Sequence, residues 1–147
     1  ILRISATFHD IGKIGVPDHI LLKPGGLDES ETAIMQRHSA MGEDIVISTE
    51  IEGATEAAII IRHHHERYDG AGYPDGLAGE DIPLSSRIIG IADSYDAMST
   101  TRAYHPAKTH SEIMGVLREE AGGKHDPKLT EIFREIIENS RFKVTEF

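Results

Sequence analysis

The chain has no cysteine and no tryptophan, aromatic residues make up only 5% of it, and its cations are outnumbered by its anions. Each shortage excludes something. Without cysteine there is no disulfide framework and no thiolate zinc site. With 15 Lys+Arg against 25 Asp+Glu, the formal net charge is −10. A polynucleotide-binding surface needs a cation near each neutralised phosphate, so long nucleic acid is not an expected partner. A small phosphorylated molecule stays open, because metals or a few local cations suffice to hold it. The longest wholly apolar run, residues 57–61, is far too short to cross a bilayer. No signal peptide is visible, and a cytoplasmic location is expected. The 147 residues fit one domain, and a chain of that size buries roughly 68–70% of its unfolded surface without staples.

Histidine, by contrast, is plentiful: nine residues, unevenly placed, several beside carboxylates. Apolar residues recur at helical spacing around them. Ile1, Ile4, Phe8 and Ile11 predict a helix that breaks at Gly12 and Gly15, and residues 16–26 read as a Pro/Gly loop. Asp28 with Glu31 forms a capping-box pattern opening a helix with Ile34, His38, Met41 and Ile45 on one face. A helix over residues 55–66 carries Ala57 and Ile61 and leads to His64 and His65, and residues 69–86 are too rich in Gly and Pro for a regular element. Ser85 or Ser86 is the expected cap of a helix with the stripe Ile88, Ile89, Ala92, Tyr95. Thr109 with Glu112 is a second capping box, Gly122-Gly123 a stop, and Asp126-Pro127 a restart. Leu129, Ile132, Phe133, Ile136 and Ile137 would form the core face of that last helix. No comparable segment alternates with period two. The expected fold class is all-α.

His9-Asp10, His38, His64-His65 and Asp93 fall on or beside faces that should point inward. A single such His reads as a hydrogen-bonded core residue. Four imidazoles and two carboxylates together are another matter, because burial costs several kcal/mol per unpaired charge. A metal removes that cost, since it takes neutral imidazole and ionised carboxylate as ligands. Adjacent helical residues diverge by about 100°, so His64 and His65 can reach one metal only at a helix end or distortion. The Gly-rich stretch that follows supplies such an end. His63 then points elsewhere. Two metals sharing Asp10 would use this many ligands economically and could clamp the attacking and leaving oxygens of a phosphoester.

The run Phe8-His9-Asp10-Ile11-Gly12-Lys13-Ile14-Gly15-Val16-Pro17-Asp18 resembles the signature of HD-domain metal phosphohydrolases. The run His64-His65-Glu66-Arg67-Tyr68-Asp69-Gly70-Ala71-Gly72-Tyr73-Pro74-Asp75-Gly76 is similar to the defining stretch of their HD-GYP branch. Ile91-Ala92-Asp93-Ser94-Tyr95-Asp96-Ala97-Met98, Arg102-Ala103-Tyr104 and Gly122-Gly123-Lys124-His125-Asp126-Pro127 continue the match over nearly the whole chain. The resemblance implies an HD-type helical bundle that hydrolyses cyclic di-GMP to linear pGpG or onward to GMP. It implies a first metal on His9, Asp10 and Asp93, and a second on Asp10, His38, His64 and His65. Iron or manganese would be the usual occupants, with zinc, nickel or magnesium as alternatives. A metal-bridging hydroxide would be the nucleophile, with Asp10 and Lys13 as catalytic residues. Lys13 and Arg102 match phosphate-contacting positions; the alternative is a pair of surface cations in salt bridges. Gly70, Gly72, Tyr73 and Pro74 would shape a loop beside the cavity, as substrate contacts or as a structural turn. The family also implies contacts with diguanylate cyclase domains and a sensor or receiver domain N-terminal to this one.

Some positions depart from the pattern. The family's first metal also draws a His, and in trinuclear members a Glu, from a helix before the His-Asp pair. A chain opening at Ile1 is expected to lack that helix, leaving the first metal under-coordinated, turnover impaired and apolar surface available for a homodimer. His105 replaces a usual Arg or Lys, and His125 stands where Phe usually precedes Asp-Pro; Tyr68 and Ala71 replace a common Trp and Ser. These departures keep two further readings open. One is a non-catalytic module binding a nucleotide or partner around a structural metal, and the other an enzyme for a different cyclic dinucleotide.

Overall fold

A computed structural model describes residues 1–100 and 106–144. Among them are eight α-helices: α1 (Leu2–Phe8), α2 (Asp18–Leu21), α3 (Glu29–Gln36), α4 (His38–Ile47), α5 (Ala54–Arg62), α6 (Leu84–Ser99), α7 (His110–Glu119) and α8 (Pro127–Glu138). Short 3-10 turns at Ile11–Gly15 and Gly79–Asp81 join them. The described residues form no strand, only an isolated bridge between Ala121 and His125, so the all-α class stands. No helix of the described residues is long and apolar enough to cross a membrane.

Local chemistry fixes several helix starts. Asp28 accepts the Glu31 amide at 2.9 Å while Glu31 accepts the Asp28 amide at 2.9 Å, a reciprocal pair that satisfies two orphan donors. Thr109 and Glu112 do the same for α7. Asp126 caps α8 by accepting from the Lys128 and Leu129 amides, with Pro127 at the first helical position. Two cores then hold the helices. Val46, Ala54, Ala57, Ala58 and Ile61 pack with Ile11 between α4, α5 and the first 3-10 turn. Tyr95, Ile113, Met114, Leu117 and Ile137 pack with Met98, Phe133 and Val144 between α6, α7 and α8.

The sequence expectations fail where packing overrides local pattern. The first helix ends at Phe8, and residues up to Gly15 tighten into 3-10 form. The loop over residues 16–26 contains α2, whose first turn bonds back to the Pro17 carbonyl. The helix begun at Asp28 divides at Arg37 into α3 and α4. Neither Ser85 nor Ser86 caps α6. That helix starts after Pro83, and the Ser86 hydroxyl instead donates to the Ile60 carbonyl at 2.9 Å, tying α6 to α5. On α6, Ile89 and Ile91 are buried while Ala92 is exposed. Two residues apart is about 200° of helix, so α6 is covered on two faces rather than along one stripe. On α8, Phe133 and Ile137 face the core, but Ile132 and Ile136 are 51% and 64% exposed. The apolar stripe of α8 is wider than its contact.

Candidate metal centre

Five elements bring the predicted residues together. His9 follows α1, Asp10 precedes the 3-10 turn, His38 opens α4, His64 and His65 lie just past α5, and Asp93 sits in the middle of α6. Because α5 stops at Arg62, His64 and His65 escape the helical divergence, and their ring centroids lie 3.9 Å apart. His63 turns away, with Nε2 2.9 Å from Asp75 Oδ2.

Three of the histidines are held by the same device. Nδ1 of His9 meets the Ala6 carbonyl at 2.8 Å, Nδ1 of His38 the Met35 carbonyl at 2.8 Å, and Nδ1 of His64 the Ile61 carbonyl at 2.5 Å. Each acceptor is three residues back. A carbonyl can only accept, so each Nδ1 carries the proton and each Nε2 keeps a lone pair aimed forward. Nε2 of His38, Nε2 of His64 and Oδ1 of Asp10 are buried and have no hydrogen-bond partner among the described residues. An orphaned buried polar atom costs about 1–3 kcal/mol, and three converging on one point is the pattern that a cation relieves. Donor atoms of Asp10, His38, His64 and His65 all lie within 4.8 Å of one another. The residues fit a metal.

Asp10 is shared between two halves of the site. Its Oδ1 lies 3.4 Å from His38 Nε2, and its Oδ2 lies 3.6 Å from His9 Nε2. His9 Nε2 is in turn 3.6 Å from Asp93 Oδ1. Lys13 donates to Asp10 Oδ2 at 2.5 Å.

The electrostatics keep every group except His9 in its ligating form. Burial pushes His64 down to about 4 and His65 to about 3, and also lowers His38. The His9 imidazole beside Asp93 holds that carboxyl down to about 2, and Asp93 raises His9 in return. Burial pushes Asp10 upward, but the Lys13 ammonium together with the His9 and His38 imidazoles outweighs it and the net shift is downward.

The Gly-Tyr-Pro loop closes one side. Tyr73 stacks on His65 with centroids 4.9 Å apart and planes tilted by 33°, and the Tyr73–Pro74 bond is cis. A β-carbon on Gly72 would lie 2.3 Å from the Arg67 nitrogen and 2.5 Å from Glu66 Cα, so backbone approaches backbone there and only glycine fits. Gly70, at φ 79°, takes the left-handed region.

Sequence reasoning missed the clamp on this loop. Glu66 accepts the amides of Asp75 at 2.8 Å, Gly76 at 3.1 Å and Leu77 at 3.1 Å. Arg62 adds a two-pronged pair to Asp75, both at 2.7 Å, and reaches Glu43 at 2.6 Å. His63, Glu66 and Asp75 form a second acidic-imidazole group, but these bonds already occupy them, and they act as a structural clamp. The available signal was an acidic residue at the mouth of a loop whose amides lack helical partners. Arg102 and His105 lie outside the described residues. A cavity of about 340 Å³ lies beside the centre, with His64, His65 and Asp93 in its wall.

The HD domain family matches residues 1–129 of this chain. The chain belongs to the HD-domain family. Its Gly-Tyr-Pro stretch, seated against the His/Asp cluster, makes it an HD-GYP member of that family. It is 43% identical over 128 residues to the Xanthomonas campestris protein named cyclic di-GMP phosphodiesterase response regulator RpfG, covering 87% of this chain and 34% of that protein. It is 41% identical over 144 residues to a probable cyclic di-GMP phosphodiesterase of Vibrio cholerae, covering 94% and 32%. It is also 41% identical over 134 residues to the V. cholerae protein named 3'3'-cGAMP-specific phosphodiesterase 2, covering 91% and 26%. The HD-domain chain thus spans about a third of the length of the first two relatives. The crystal structure of a cyclic GMP-AMP specific phosphodiesterase of V. cholerae, V-cGAP3, shares its fold at a TM-score of 0.68 and 20% identity, over 96% of this chain and 38% of that one.

Proposed function

We propose that this HD-GYP chain is a metal-dependent phosphodiesterase that hydrolyses cyclic di-GMP to pGpG or onward to GMP in second-messenger signalling. The observation that carries the proposal is the convergence of three buried, unpartnered donor atoms, on Asp10, His38 and His64. In this reading His9, Asp10 and Asp93 hold one divalent ion, and Asp10, His38, His64 and His65 hold a second. Four imidazoles and two carboxylates suit iron or manganese better than magnesium. Such a pair, when bound, acidifies water to supply the nucleophile and offsets charge on the phosphodiester.

The protein's own residues do the positioning. Asp10 presents one oxygen to each half of the site. The three Nδ1–H donations to carbonyls fix each ring in one tautomer and one orientation. Lys13, beside Asp10 and partly exposed, would contact a substrate phosphate, the role also proposed for Arg102. Tyr73 covers a face of His65 and keeps solvent from that side, with Gly72 and Pro74 shaping the loop. The name of the Xanthomonas relative, a response regulator, supports a receiver domain as partner, and the Gly-Tyr-Pro loop remains the proposed contact for diguanylate cyclase domains. Cyclic GMP-AMP as substrate is the second reading, favoured by a relative 41% identical to this chain that carries that specificity in its name.

The test is a product assay on the metal-loaded full-length protein with both cyclic dinucleotides side by side. Faster release of pGpG or GMP from cyclic di-GMP is the expected result. Faster cleavage of cyclic GMP-AMP favours the second reading, and nucleotide binding without product favours a non-catalytic module.

A further inference from the structure

Outside the metal centre, two more buried polar atoms have no hydrogen-bond partner among the described residues: Nε2 of His125 and Oε2 of Glu120. They lie 3.3 Å apart without hydrogen-bond alignment. Both residues line the same cavity of about 340 Å³ that has His64, His65 and Asp93 in its wall. His125 is only 5% exposed. Its backbone is pinned on both sides, its amide donating to the Glu120 carbonyl at 3.1 Å and its carbonyl accepting the Gly122 amide at 2.8 Å. Lys124 stands 3.6 Å from Glu120 Oε2, which balances the charge but leaves the hydrogen-bond capacity unused. Burial pushes His125 down to about 4, so at neutral pH it is an uncharged imidazole with one donor and one acceptor nitrogen.

A carboxylate oxygen beside a neutral imidazole matches a planar group whose N–H donors adjoin a carbonyl acceptor. The Watson–Crick edge of guanine has that order, with N1–H and the N2 amine beside O6. Adenine lacks the N2 amine and presents a donor where guanine has O6. We infer that this cavity is a guanine subsite, in which Glu120 accepts from N1–H and the N2 amine and His125 donates to O6. The inference rests on the reading of the chain as a cyclic-dinucleotide hydrolase. The substrates named for its relatives, cyclic di-GMP and cyclic GMP-AMP, both carry a guanine. A phenylalanine at position 125, usual in the pattern this stretch resembles, offers no such donor.

The experiment is calorimetric titration of the metal-loaded full-length protein with GMP, inosine 5'-monophosphate and AMP, none of which has a cyclic diester to be cleaved. Inosine monophosphate lacks only the N2 amine. GMP is expected to bind about tenfold tighter than inosine monophosphate, the worth of one charge-assisted hydrogen bond, and AMP to bind more weakly still. Glu120→Leu, which leaves no acceptor, removes the first difference, and His125→Phe weakens GMP. The three-nucleotide comparison on the unaltered protein does not depend on either variant folding. Equal affinity for the three, no saturable GMP binding at millimolar concentration, or a GMP preference that persists in Glu120→Leu overturns the subsite. The two orphaned atoms would then be bridged by a buried water only. Turnover of cyclic di-GMP without any base preference overturns the subsite and leaves the hydrolase reading standing. GMP preference without turnover supports the subsite and removes that reading.

Discussion

Gly12 sits so close to His38 that a β-carbon on it would lie 1.9 Å from the His38 carbonyl oxygen and 2.5 Å from the Gly42 nitrogen. The turn that carries Asp10 is therefore seated directly on the helix that carries His38. This contact sets the 3.4 Å approach of His38 Nε2 to Asp10 Oδ1.

Gly12→Ala pushes backbone against backbone, with no flexible atom to give way. It should cost at least the roughly 1–3 kcal/mol of an overpacked core and weaken metal binding, because it parts Asp10 from His38. Gly15→Ala is the control: its β-carbon meets only the Met41 side chain, with Sδ at 2.7 Å, and that thioether can move. Urea unfolding and metal titration of both variants check this, and equal losses would contradict it.

Glu66→Ala strips three backbone amides of their acceptor. We expect a loss of about 2 kcal/mol or more, with faster hydrogen exchange at the amides of residues 75–77. Unchanged exchange there would show that the clamp does not hold the loop.

These two positions also mark where the sequence stops being legible. The caps at Asp28, Thr109 and Asp126 could be read because each acts within a few residues. The His/Asp set could be read because so many ionisable groups on inward faces need a cation to offset their burial, and the resemblance then paired them. Gly12 against His38 is a contact between separate elements that no local pattern encodes. Glu66 reaches residues 75–77 across a single loop, 9 to 11 residues on, a span no capping or periodic pattern covers. The division at Arg37 was hidden because apolar spacing runs through it. Ile132 and Ile136 misled for a related reason: helical period says which residues share a face, not how much of that face is covered.

Acid should destabilise the metal-free protein. His64, His65 and His125 are held near 4, 3 and 4 by burial, below their ordinary 6.5. Between about pH 6.5 and 4 the unfolded chain binds protons that the folded chain refuses, so stability falls as pH falls through that window. His9, raised by Asp93, works the other way: its contribution is present at low pH and lost as pH rises through its folded value. Three groups outweigh one. With a chelator present, the urea midpoint should be lower at about pH 5 than at about pH 7, and an equal or higher midpoint would contradict the burial of these imidazoles.

Metal should stabilise the fold through the same atoms. A cation at about 100 times its dissociation constant adds about 2.7 kcal/mol, so manganese should raise the melting temperature of the unaltered protein. His64→Ala, which removes an Nε2 buried in the centre, should abolish most of that rise. A full rise in the variant would place the metal elsewhere.

Turnover of cyclic di-GMP by the metal-loaded full-length protein and its Asp10→Ala variant tests the shared-carboxylate centre most directly. Asp10 is the carboxylate that faces both halves of the site, so pGpG or GMP should form with the unaltered protein, and the variant should lose that activity by about a thousandfold or more, roughly 4 kcal/mol of barrier. Undiminished turnover in Asp10→Ala would contradict it.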